Sequence, residues 1–566
     1  MKKLLKNILL FCLAALLLFS SASCSKNDNV TQNNTSATEG TTLATTTPAE
    51  TTTGEVPPEV EVHTHVFENP ITAFLPTCTK EGKETSVCEC GVVKVTTLSA
   101  TGAHDYQNKV CTVCGRKDPT GLTAPVLCGD ALSSYVIVYD ANASDYVVRA
   151  AEYIAAQIEA RTGVVLSVNA IDASTAQNAH EIIVGETARP ISQTLNAETE
   201  GLEFAILANE DHIALEGDYF IIAAAAYYFV ENYIPEAIFD IDVPQTVSVC
   251  EPIVKETKNV ILLIGDGMGF NQTTLFDAYK DTTTVDYGDG EDFFYGYLLP
   301  AMGEVKTDSL SGTTDSAAAA TALASGFKTK NGSIGRNGKN KDVPLITELA
   351  AAVGKATAVM STEDQLGATP ASFSAHAYHR SNEANIQKSQ DALVEKYGTI
   401  INCGYDVYTD EKMEVLRAAI TKTLNALSAD EDGFFMMYEE AYIDKHCSDM
   451  DAEDAYKALV RFNQAIALFM EYAFYNPETM VIITADHETG GLHLDENGEF
   501  QFVSSDHTSA NVPLFAYGAY ADVFNGETIE NVQIPKTIGA LFGIEIEGTE
   551  PETYPALLPV IEMENK

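Results

Sequence analysis

The feature that most constrains the fold is a buried strand ending in a glycine-rich turn that carries one carboxylate. Residues 259–264 read Asn-Val-Ile-Leu-Leu-Ile, and residues 265–269 read Gly-Asp-Gly-Met-Gly. The same arrangement returns at residues 481–484, Val-Ile-Ile-Thr, which Asp486 and His487 follow. Short apolar strands separated by long helical stretches indicate an α/β fold, a mainly parallel sheet with helices on both faces. Ligands bind such sheets at the carboxyl ends of their strands.

The polar residues at these strand ends form a candidate metal site. Asp266 alone fits a residue that caps a turn better than it fits a ligand. Asp486 and His487 change that balance, because the carboxyl ends of parallel strands meet at one edge of the sheet. An aspartate beside a histidine, facing a second strand-end aspartate, supplies ligands suited to Zn²⁺.

An alanine-rich segment carries a candidate nucleophile. Residues 313–326 predict a helix with Asp315 and Ser316 in its opening turn. Backbone N–H groups and the helix dipole favour a bound phosphate at that end, and a nearby metal would make the serine hydroxyl nucleophilic. The alternative is that Asp315 or Ser316 only caps the helix.

The first residues predict an export signal over residues 1–24. Lysines within residues 1–6 precede an apolar run over residues 8–18, which is short for a bilayer span. The residues before Cys24 resemble a bacterial lipoprotein box, although Ser21 stands where leucine is usual. Lipidation of Cys24 and ordinary cleavage nearby both stay open. We expect a bacterial protein that is secreted or lipid-anchored at the cell surface, touching membrane only through the anchor.

A linker and a small module come next. Residues 25–60 are dominated by polar residues and cannot bury enough surface to fold. Residues 61–118 concentrate cysteines and histidines, and Cys111 and Cys114 have the spacing of a zinc knuckle. An upstream Cys-x-Cys pair is tighter than zinc sites usually have, so zinc and disulfides both stay open for this module.

Two larger domains complete the chain. Residues 121–252 alternate strands with a helix-period segment and predict an α+β accessory domain. Its rhythm resembles the non-catalytic domain that precedes the barrel of some glycoside hydrolases. We identify no site there and interpret His180 and His212 as structural or solvent-facing. Residues 256–545 form the main α/β domain, and residues 546–566 form a tail rich in proline and glutamate.

The acidic composition limits the partners of the chain. Its sequence holds 34 Lys and Arg against 81 Asp and Glu, a formal net charge of −47. This charge argues against nucleic acid and against an anionic membrane surface. A site for anionic ligands would need metal ions or a local arginine to reverse the potential.

Five motifs, taken in chain order, resemble those of the alkaline phosphatases. A chance match to one motif is easy, whereas a chance match to five in order is not. The resemblance covers residues 256–545 and implies hydrolysis of phosphate monoesters with two zinc-type ions and one magnesium ion. Family habit also implies a homodimer. The motifs are Gly-Asp-Gly-Met-Gly at 265–269, Thr-Asp-Ser-Ala-Ala-Ala-Ala-Thr at 314–321, Ala-Thr-Pro at 368–370, Thr-Ala-Asp-His at 484–487 and Asp-His-Thr at 506–508.

The resemblance implies a role for each matching residue. Ser316 would attack the phosphate and form a phosphoserine, and Arg380 would clamp the phosphate with its two-pronged guanidinium. The ions would activate the serine and neutralise the leaving oxygen. The implied ligands are Asp266, Thr369 and Glu439 for magnesium, Asp266, Asp486 and His487 for one zinc, and Asp444, His507 and one further residue for the other zinc.

The chain departs from the family pattern at two places. Gly367 stands two residues before Thr369, where relatives usually carry aspartate or histidine, so fewer polar groups surround the magnesium position. Four residues after Asp444, where the family has a zinc-binding histidine, the chain has a serine, and we expect this zinc site to be weakened. The missing ligand stays open among His446, Cys447 and Ser448.

Other functions stay open alongside the monoesterase. One is a phosphodiesterase or other phosphoryl hydrolase of the same superfamily, and another is a surface-binding protein whose phosphatase domain has decayed. A sulfatase is disfavoured because the Pro and Arg expected after its nucleophile are absent after Ser316. Lys445 matches one bacterial variant in which it approaches the phosphate through water, and a solvated lysine is the equal alternative. We interpret three further histidines near the motifs as structural, namely His376, His379 and His493.

Overall fold

The structure is a computed structural model of the 566-residue chain. From residue 125 to residue 561 it describes the chain except residues 129, 196–198, 210, 235–242, 280–292, 406–409, 497–498 and 550–552, and except the side chains of 126, 277–278 and 410–412. Upstream, it describes only the backbone of short strands. The predicted export signal, the linker and the cysteine and histidine side chains of residues 61–118 lie outside the described residues.

The strands upstream of residue 125 belong to a compact unit of their own. A three-stranded antiparallel sheet in the order β1-β2-β3 is followed by a short antiparallel pair, β4 and β5. Their bounds are β1 (Phe67–Phe74), β2 (Gly82–Cys88), β3 (Val93–Leu98), β4 (Tyr106–Gln107) and β5 (Val110–Cys111).

A six-stranded mixed sheet follows, in the order β13-β11-β12-β10-β8-β9. The helix α1 packs against it with Val148, Ala151, Ile154 and Ile158, which recur every three or four residues on one face. The elements are β6 (Val126–Leu127), β7 (Asp130–Ala131), β8 (Val136–Asp140), α1 (Asp145–Thr162), β9 (Val168–Ile171), β10 (Glu181–Val184), α2 (Pro190–Thr194), β11 (Phe204–Ala208), β12 (His212–Glu216), α3 (Ile222–Tyr233) and β13 (Ser248–Cys250).

The largest sheet has eight strands in the order β17-β16-β18-β14-β19-β24-β15-β25. The chain forms this sheet and the helices around it in the following order, beginning with β14 (Asn259–Gly265), α4 (Phe270–Thr273), α5 (Leu275–Tyr279), β15 (Ala301–Lys306), α6 (Ser316–Ser325), α7 (Ile346–Ala352), β16 (Ala356–Ser361), α8 (Ala368–Ser374), α9 (Glu383–Tyr397), β17 (Ile400–Cys403) and α10 (Asp410–Leu427). The later elements of this part of the chain are β18 (Phe434–Glu440), α11 (Tyr442–Ser448), α12 (Ala452–Tyr475), β19 (Thr479–Thr484), β20 (Glu488–Thr489), β21 (His493–Leu494), β22 (Phe500–Gln501), β23 (His507–Thr508), β24 (Val512–Tyr517), β25 (Thr528–Glu530) and α13 (Gln533–Leu541). Strands β20 and β23, and β21 and β22, form separate two-stranded pairs. Short 3-10 helices lie at Leu132–Ser134, Tyr219–Ile221, Tyr295–Leu298 and Ala521–Phe524.

The predicted fold class is confirmed. Strands β16, β18, β14 and β19 run parallel to one another, and β24 pairs antiparallel with both β19 and β15. Every residue of β14 and β18 is buried, and because successive side chains point to opposite faces, both faces of the sheet are covered. Helix α12 packs on β14 and β19, while α7 and α8 pack on β16 and β18. Among the described residues, no helix combines the length and the apolarity that a bilayer crossing requires.

The two larger sheets share one buried core. Helix α3 of the six-stranded sheet packs on α12 of the eight-stranded sheet. On the neighbouring helix α1, Arg149 forms a two-pronged ion pair with Glu471 of α12, with Nε–Oε1 at 2.7 Å and Nη2–Oε2 at 2.9 Å. The two side chains are only 14% and 6% exposed. The accessory helices are thus joined to the helix that covers the central strands.

Removing one member of this ion pair should destabilise the fold. Glu471→Ala would leave the Arg149 guanidinium buried without a counter-charge, at an expected loss of about 3–5 kcal/mol in the free energy of unfolding. The control is the exposed pair of Arg417 and Glu414, at 3.0 Å, where Glu414→Ala should cost under about 1 kcal/mol. Urea unfolding measures both. Equal losses in the two variants would contradict a structural role for the buried pair.

Candidate metal centre

The candidate site lies at the carboxyl edge of the large sheet, where three neighbouring strands end. In the parallel register, Ile264 of β14 lies opposite Glu439 of β18 and Thr484 of β19. Asp266 follows β14 directly, and Asp486 and His487 follow β19. The common register therefore brings side chains that are far apart in the sequence to one edge.

Asp266, Asp486 and His487 form one compact group of buried ligand atoms. The His487 Nε2 atom lies 3.4 Å from Asp266 Oδ1 and 3.3 Å from Asp486 Oδ2. The other oxygen of Asp486 accepts hydrogen bonds from the backbone N–H groups of His487 and Gly267, at 2.9 and 3.2 Å. Gly267 has φ +78°, and a Cβ there would lie 2.7 Å from the Cα of Asp444, so this turn requires glycine.

Several buried oxygens in this region have no hydrogen-bond partner. A buried polar atom without a partner costs free energy, so a group of them at one place requires an explanation. Bound cations supply one, because each of these atoms is an oxygen that divalent ions accept as a ligand. The atoms are Asp266 Oδ1, Asp486 Oδ2, Thr369 Oγ1 and Glu439 Oε1. They belong to the residues that the sequence assigns to the magnesium ion and to the first zinc, so the donor set fits those ions.

The electrostatics of the metal-free site favour bound cations. Burial raises the pKa of Asp266 and of Glu439 well above the ordinary values, and neighbouring carboxylates raise both further. Burial, followed by the charge of Asp444, raises the pKa of Asp486 to about 7. Burial lowers the pKa of His487, which keeps the imidazole neutral and able to coordinate a metal. Positive charge would relieve the repulsion among these carboxylates.

A second group joins Asp444, His487 and His507. His507 reaches the site because β23 pairs with β20 just beyond His487. Its Nδ1 atom donates to the Thr314 carbonyl at 2.9 Å, which leaves the Nε2 lone pair facing Asp444 Oδ1 at 3.5 Å. The hydroxyl of Thr489 donates to the same Asp444 oxygen at 2.5 Å. Sequence analysis missed Thr489 because its role depends on the hairpin that carries His507.

Among the described histidines, cysteines and carboxylates, only His487 lies close enough to Asp444 and His507 to complete this group, and the resemblance assigns His487 to the first zinc. Neither His446 nor Cys447 belongs to the group of possible metal ligands that contains Asp444 among the described residues. The His446 ring lies against Tyr442, and burial lowers its pKa while carboxylates of the next helix oppose that effect. Burial raises the pKa of the Cys447 thiol, whose sulfur lies 4.0 Å from Gln272 Nε2. Ser448 lies one helical turn beyond Asp444 in α11.

Ser316 occupies the first turn of α6 and is 5% exposed. Its Oγ lies 3.2 Å from His487 Nε2, beside the first group of ligands. Asp315 is the N-cap of the helix, and its Oδ1 accepts the Ala318 N–H at 2.9 Å. The capping alternative from the sequence therefore describes Asp315, and it leaves the Ser316 hydroxyl available to the site.

The Asp315 carboxylate also contacts Gly332 and Arg380, which the sequence did not predict. Its Oδ2 accepts the backbone N–H of Gly332 at 2.8 Å and lies 3.8 Å from Arg380 Nη1. The backbone N–H of Arg380 donates to the Gly332 carbonyl at 2.7 Å. The guanidinium, 40% exposed in its side chain, therefore lies near the carboxylate of the residue before Ser316 and is open to solvent.

The three histidines interpreted as structural have ordinary partners. His376 Nδ1 contacts the Gly335 carbonyl at 2.8 Å, and its Nε2 lies 3.3 Å from Glu348. His379 Nδ1 lies 2.9 Å from the Ser381 hydroxyl, and the exposed His493 contacts the Gly491 carbonyl. None of the three belongs to a group of possible metal ligands among the described residues.

Comparisons with known proteins agree with this geometry. The family model "Alkaline phosphatase" matches residues 257–403 and 400–502. Alkaline phosphatase 3 of Bacillus subtilis (strain 168) is 28% identical over 351 residues, 52% of this chain and 75% of that protein. Alkaline phosphatase 4 of the same strain is 30% identical over 295 residues, 43% of this chain and 64% of that protein. The alkaline phosphatase structure from the Antarctic bacterium TAB5 is 28% identical with a TM-score of 0.44, and it covers 51% of this chain and 99% of that one.

The family match assigns residues 257–502 to the alkaline phosphatase superfamily of phosphoesterases. The central strands, the serine helix and the strand-end ligands all lie within or next to the matched residues. The C-terminal half of the chain carries an alkaline phosphatase domain.

The raised carboxyl pKa values predict a pH-dependent stability of the metal-free protein. Asp486 binds its proton in the folded state up to a pKa of about 7, against an ordinary 3.8. Between these values the folded state holds a proton that the unfolded state has released, so stability falls as the pH rises. We expect the melting temperature of chelator-treated protein to fall between pH 5 and pH 8, on the order of a few degrees. Asp486→Asn should flatten the slope, and an identical slope in that variant would contradict the assignment.

Replacing Ser448 with histidine should strengthen zinc binding beside Asp444 and His507. Ser448→His should place an imidazole one turn beyond Asp444 and tighten zinc binding by about 10-fold or more. His446→Ala is the control and should leave zinc binding unchanged, because the structure directs that ring towards Tyr442. Zinc content after dialysis against a graded chelator measures both. A loss of zinc in the His446→Ala variant would identify His446 as the third ligand instead.

Proposed function

We propose that the chain hydrolyses phosphate monoesters to an alcohol and inorganic phosphate through a phosphoserine at Ser316. One observation carries this proposal. The Ser316 hydroxyl, almost fully buried at the start of α6, lies 3.2 Å from His487 Nε2 within the group of unpaired carboxylate oxygens. A hydroxyl at the positive end of a helix, beside ligands for divalent ions, is arranged for phosphoryl transfer.

The donor sets support two kinds of ion. Asp266, Asp486 and His487 mix oxygen with nitrogen, as do Asp444 and His507, and such mixed sets suit zinc. The magnesium position would take oxygen ligands alone, from Asp266, Thr369 and Glu439. When bound, these ions would make the serine more nucleophilic and offset the charge on the leaving oxygen.

The protein's own groups would hold the phosphate in place. The opening turn of α6 directs backbone N–H groups and the positive end of its dipole towards the position next to Ser316. Asp315 holds the Arg380 guanidinium nearby, where its fork can bind two free oxygens of a monoester. A diester also has two free oxygens but carries one negative charge against the monoester's two, so this cationic clamp would favour monoesters.

The overall charge of the chain makes this local arrangement necessary. A net charge of −47 repels a phosphate ester, and the described residues near Ser316 include many carboxylates. Arg380 and Lys445 supply positive charge from the protein, and bound ions would supply the rest. The composition predicts that metal ions or a local arginine reverse the negative potential at the site, and this reversal is part of the proposal.

The location and assembly belong to the proposal as well. The lysines and the apolar run of residues 1–24 support export, with Cys24 as the residue that a lipid would modify. A homodimer rests on the family resemblance alone. We place the activity outside the cytoplasm of a bacterial cell.

Replacing the nucleophile tests the proposal. Ser316→Ala should lower monoester turnover by at least about 10³-fold while metal content stays unchanged. Ser325→Ala, at the far end of the same helix, should keep normal turnover, because its hydroxyl bonds only groups at that end, the Thr321 carbonyl and the Phe327 N–H. Acid quenching during turnover should trap one phosphoryl group on the wild type and on the Ser325 variant but not on the Ser316 variant.

The same assay distinguishes the rival functions. A chromogenic monoester and a diester are compared with zinc and magnesium present. Faster hydrolysis of the diester would replace the monoesterase with a phosphodiesterase of the same superfamily. Hydrolysis of neither ester would favour a decayed phosphatase domain in a surface-binding protein.

A further inference from the structure

The space beside Gly367 is occupied by the side chain of Glu363. A Cβ built on Gly367 would lie 2.0 Å from Glu363 Oε1, 2.2 Å from its Cδ and 2.8 Å from its Cγ. The backbone of Gly367 has φ −54°, which any residue can adopt. The lack of a side chain at this position is therefore explained by space and not by backbone conformation. A side chain at residue 367 would therefore require the Glu363 carboxylate to leave its present position.

Glu363 is fixed at this place by contacts at both ends. Its carboxylate lies 3.2 Å from Lys445 Nζ, and its side chain is 16% exposed. Its backbone N–H donates to the Ser361 hydroxyl at 3.0 Å, and that hydroxyl donates to Glu439 Oε2. The segment that carries Glu363 is therefore tied directly to one of the magnesium-position residues.

The carboxylate acts on that position from a second layer. The Glu363 carboxylate pairs with Lys445, the residue next to Asp444, while Ser361, two residues before Glu363, donates to Glu439. Glu363 thus meets the residues of the magnesium position through intermediaries, as the outer partners of a bound ion do.

We infer that Glu363 is the outer acidic residue of the magnesium position, filling the space that Gly367 leaves and holding Lys445 at the edge of the site. This inference rests on the proposed assignment of Asp266, Thr369 and Glu439 to magnesium. The acidic group reaches the site from four residues upstream of the usual position, so the chain has moved the group and not lost it. With Glu363, the surroundings of the ion consist of oxygens, which favours magnesium over zinc.

Lys445 gains a defined place through the same contact. Its ammonium lies between the Glu363 carboxylate and the Tyr442 ring, 4.0 Å from the ring centroid. Lys445 follows Asp444 directly, so its position bears on the second zinc position as well. Glu363 is thus a positioning residue that links the two ends of the site.

Magnesium binding to the zinc-loaded full-length protein, without any ester present, tests the inference. Glu363→Gln keeps the size of the side chain and removes the charge, and we expect it to weaken magnesium binding by about 10 to 100-fold. Asp364→Asn, at the exposed neighbouring acid, is the matched control and should bind magnesium as the wild type does. Isothermal titration measures the affinity, and circular dichroism checks the fold.

An exchange of positions provides the decisive comparison. Gly367→Asp alone should bind magnesium poorly, because its side chain meets Glu363. Glu363→Ala with Gly367→Asp returns a carboxylate to the same space and should recover most of the affinity lost in Glu363→Ala, a strongly non-additive result. Wild-type affinity in Glu363→Gln, or a double variant no tighter than Glu363→Ala, would overturn the inference. Because no ester is used, either result is independent of the phosphatase assay.

Discussion

Repulsion among buried carboxylates at one sheet edge is the constraint on which the rest of the site depends. Asp266, Glu439 and Asp486 are each almost fully buried, and burial raises the pKa of all three. Several of their oxygens have no hydrogen-bond partner. Such groups stay together only when protons or cations offset their charge, and divalent cations fit these oxygens. The same cations would make an acidic protein attractive to an anionic ester.

The helix α6 converts this cation-binding edge into a candidate catalytic site. Asp315 caps the helix and also lies 3.8 Å from the Arg380 guanidinium, so one carboxylate contacts both the helix start that carries Ser316 and the proposed phosphate-binding arginine. The carbonyl of Thr314 orients His507 from the residue before this cap. Three consecutive residues at the helix start therefore contact or carry the proposed nucleophile, the proposed phosphate-binding arginine and one candidate metal ligand.

The departures from the family pattern have different structural consequences. At Gly367 the missing side chain is matched by Glu363, whose carboxylate fills the same space. At Ser448 no such substitute is present among the described residues, because His446 faces Tyr442 and Cys447 is buried against Gln272. A small residue in a motif can thus mean either a relocated group or a lost one. Only the three-dimensional surroundings distinguish the two.

The sequence by itself determined the fold class and pointed to the strand-end residues of the candidate site. The apolar strand at residues 259–264 and the strand-end residues Asp266, Asp486 and His487 predicted the parallel sheet and its ligand-binding edge, because both are local patterns. The tertiary structure alone decided which distant residues meet. The Glu363–Lys445 pair and the contact of Thr489 with Asp444 join residues 82 and 45 positions apart, 363 to 445 and 444 to 489. Such contacts depend on how helices and hairpins pack around the sheet, and no local pattern encodes that packing.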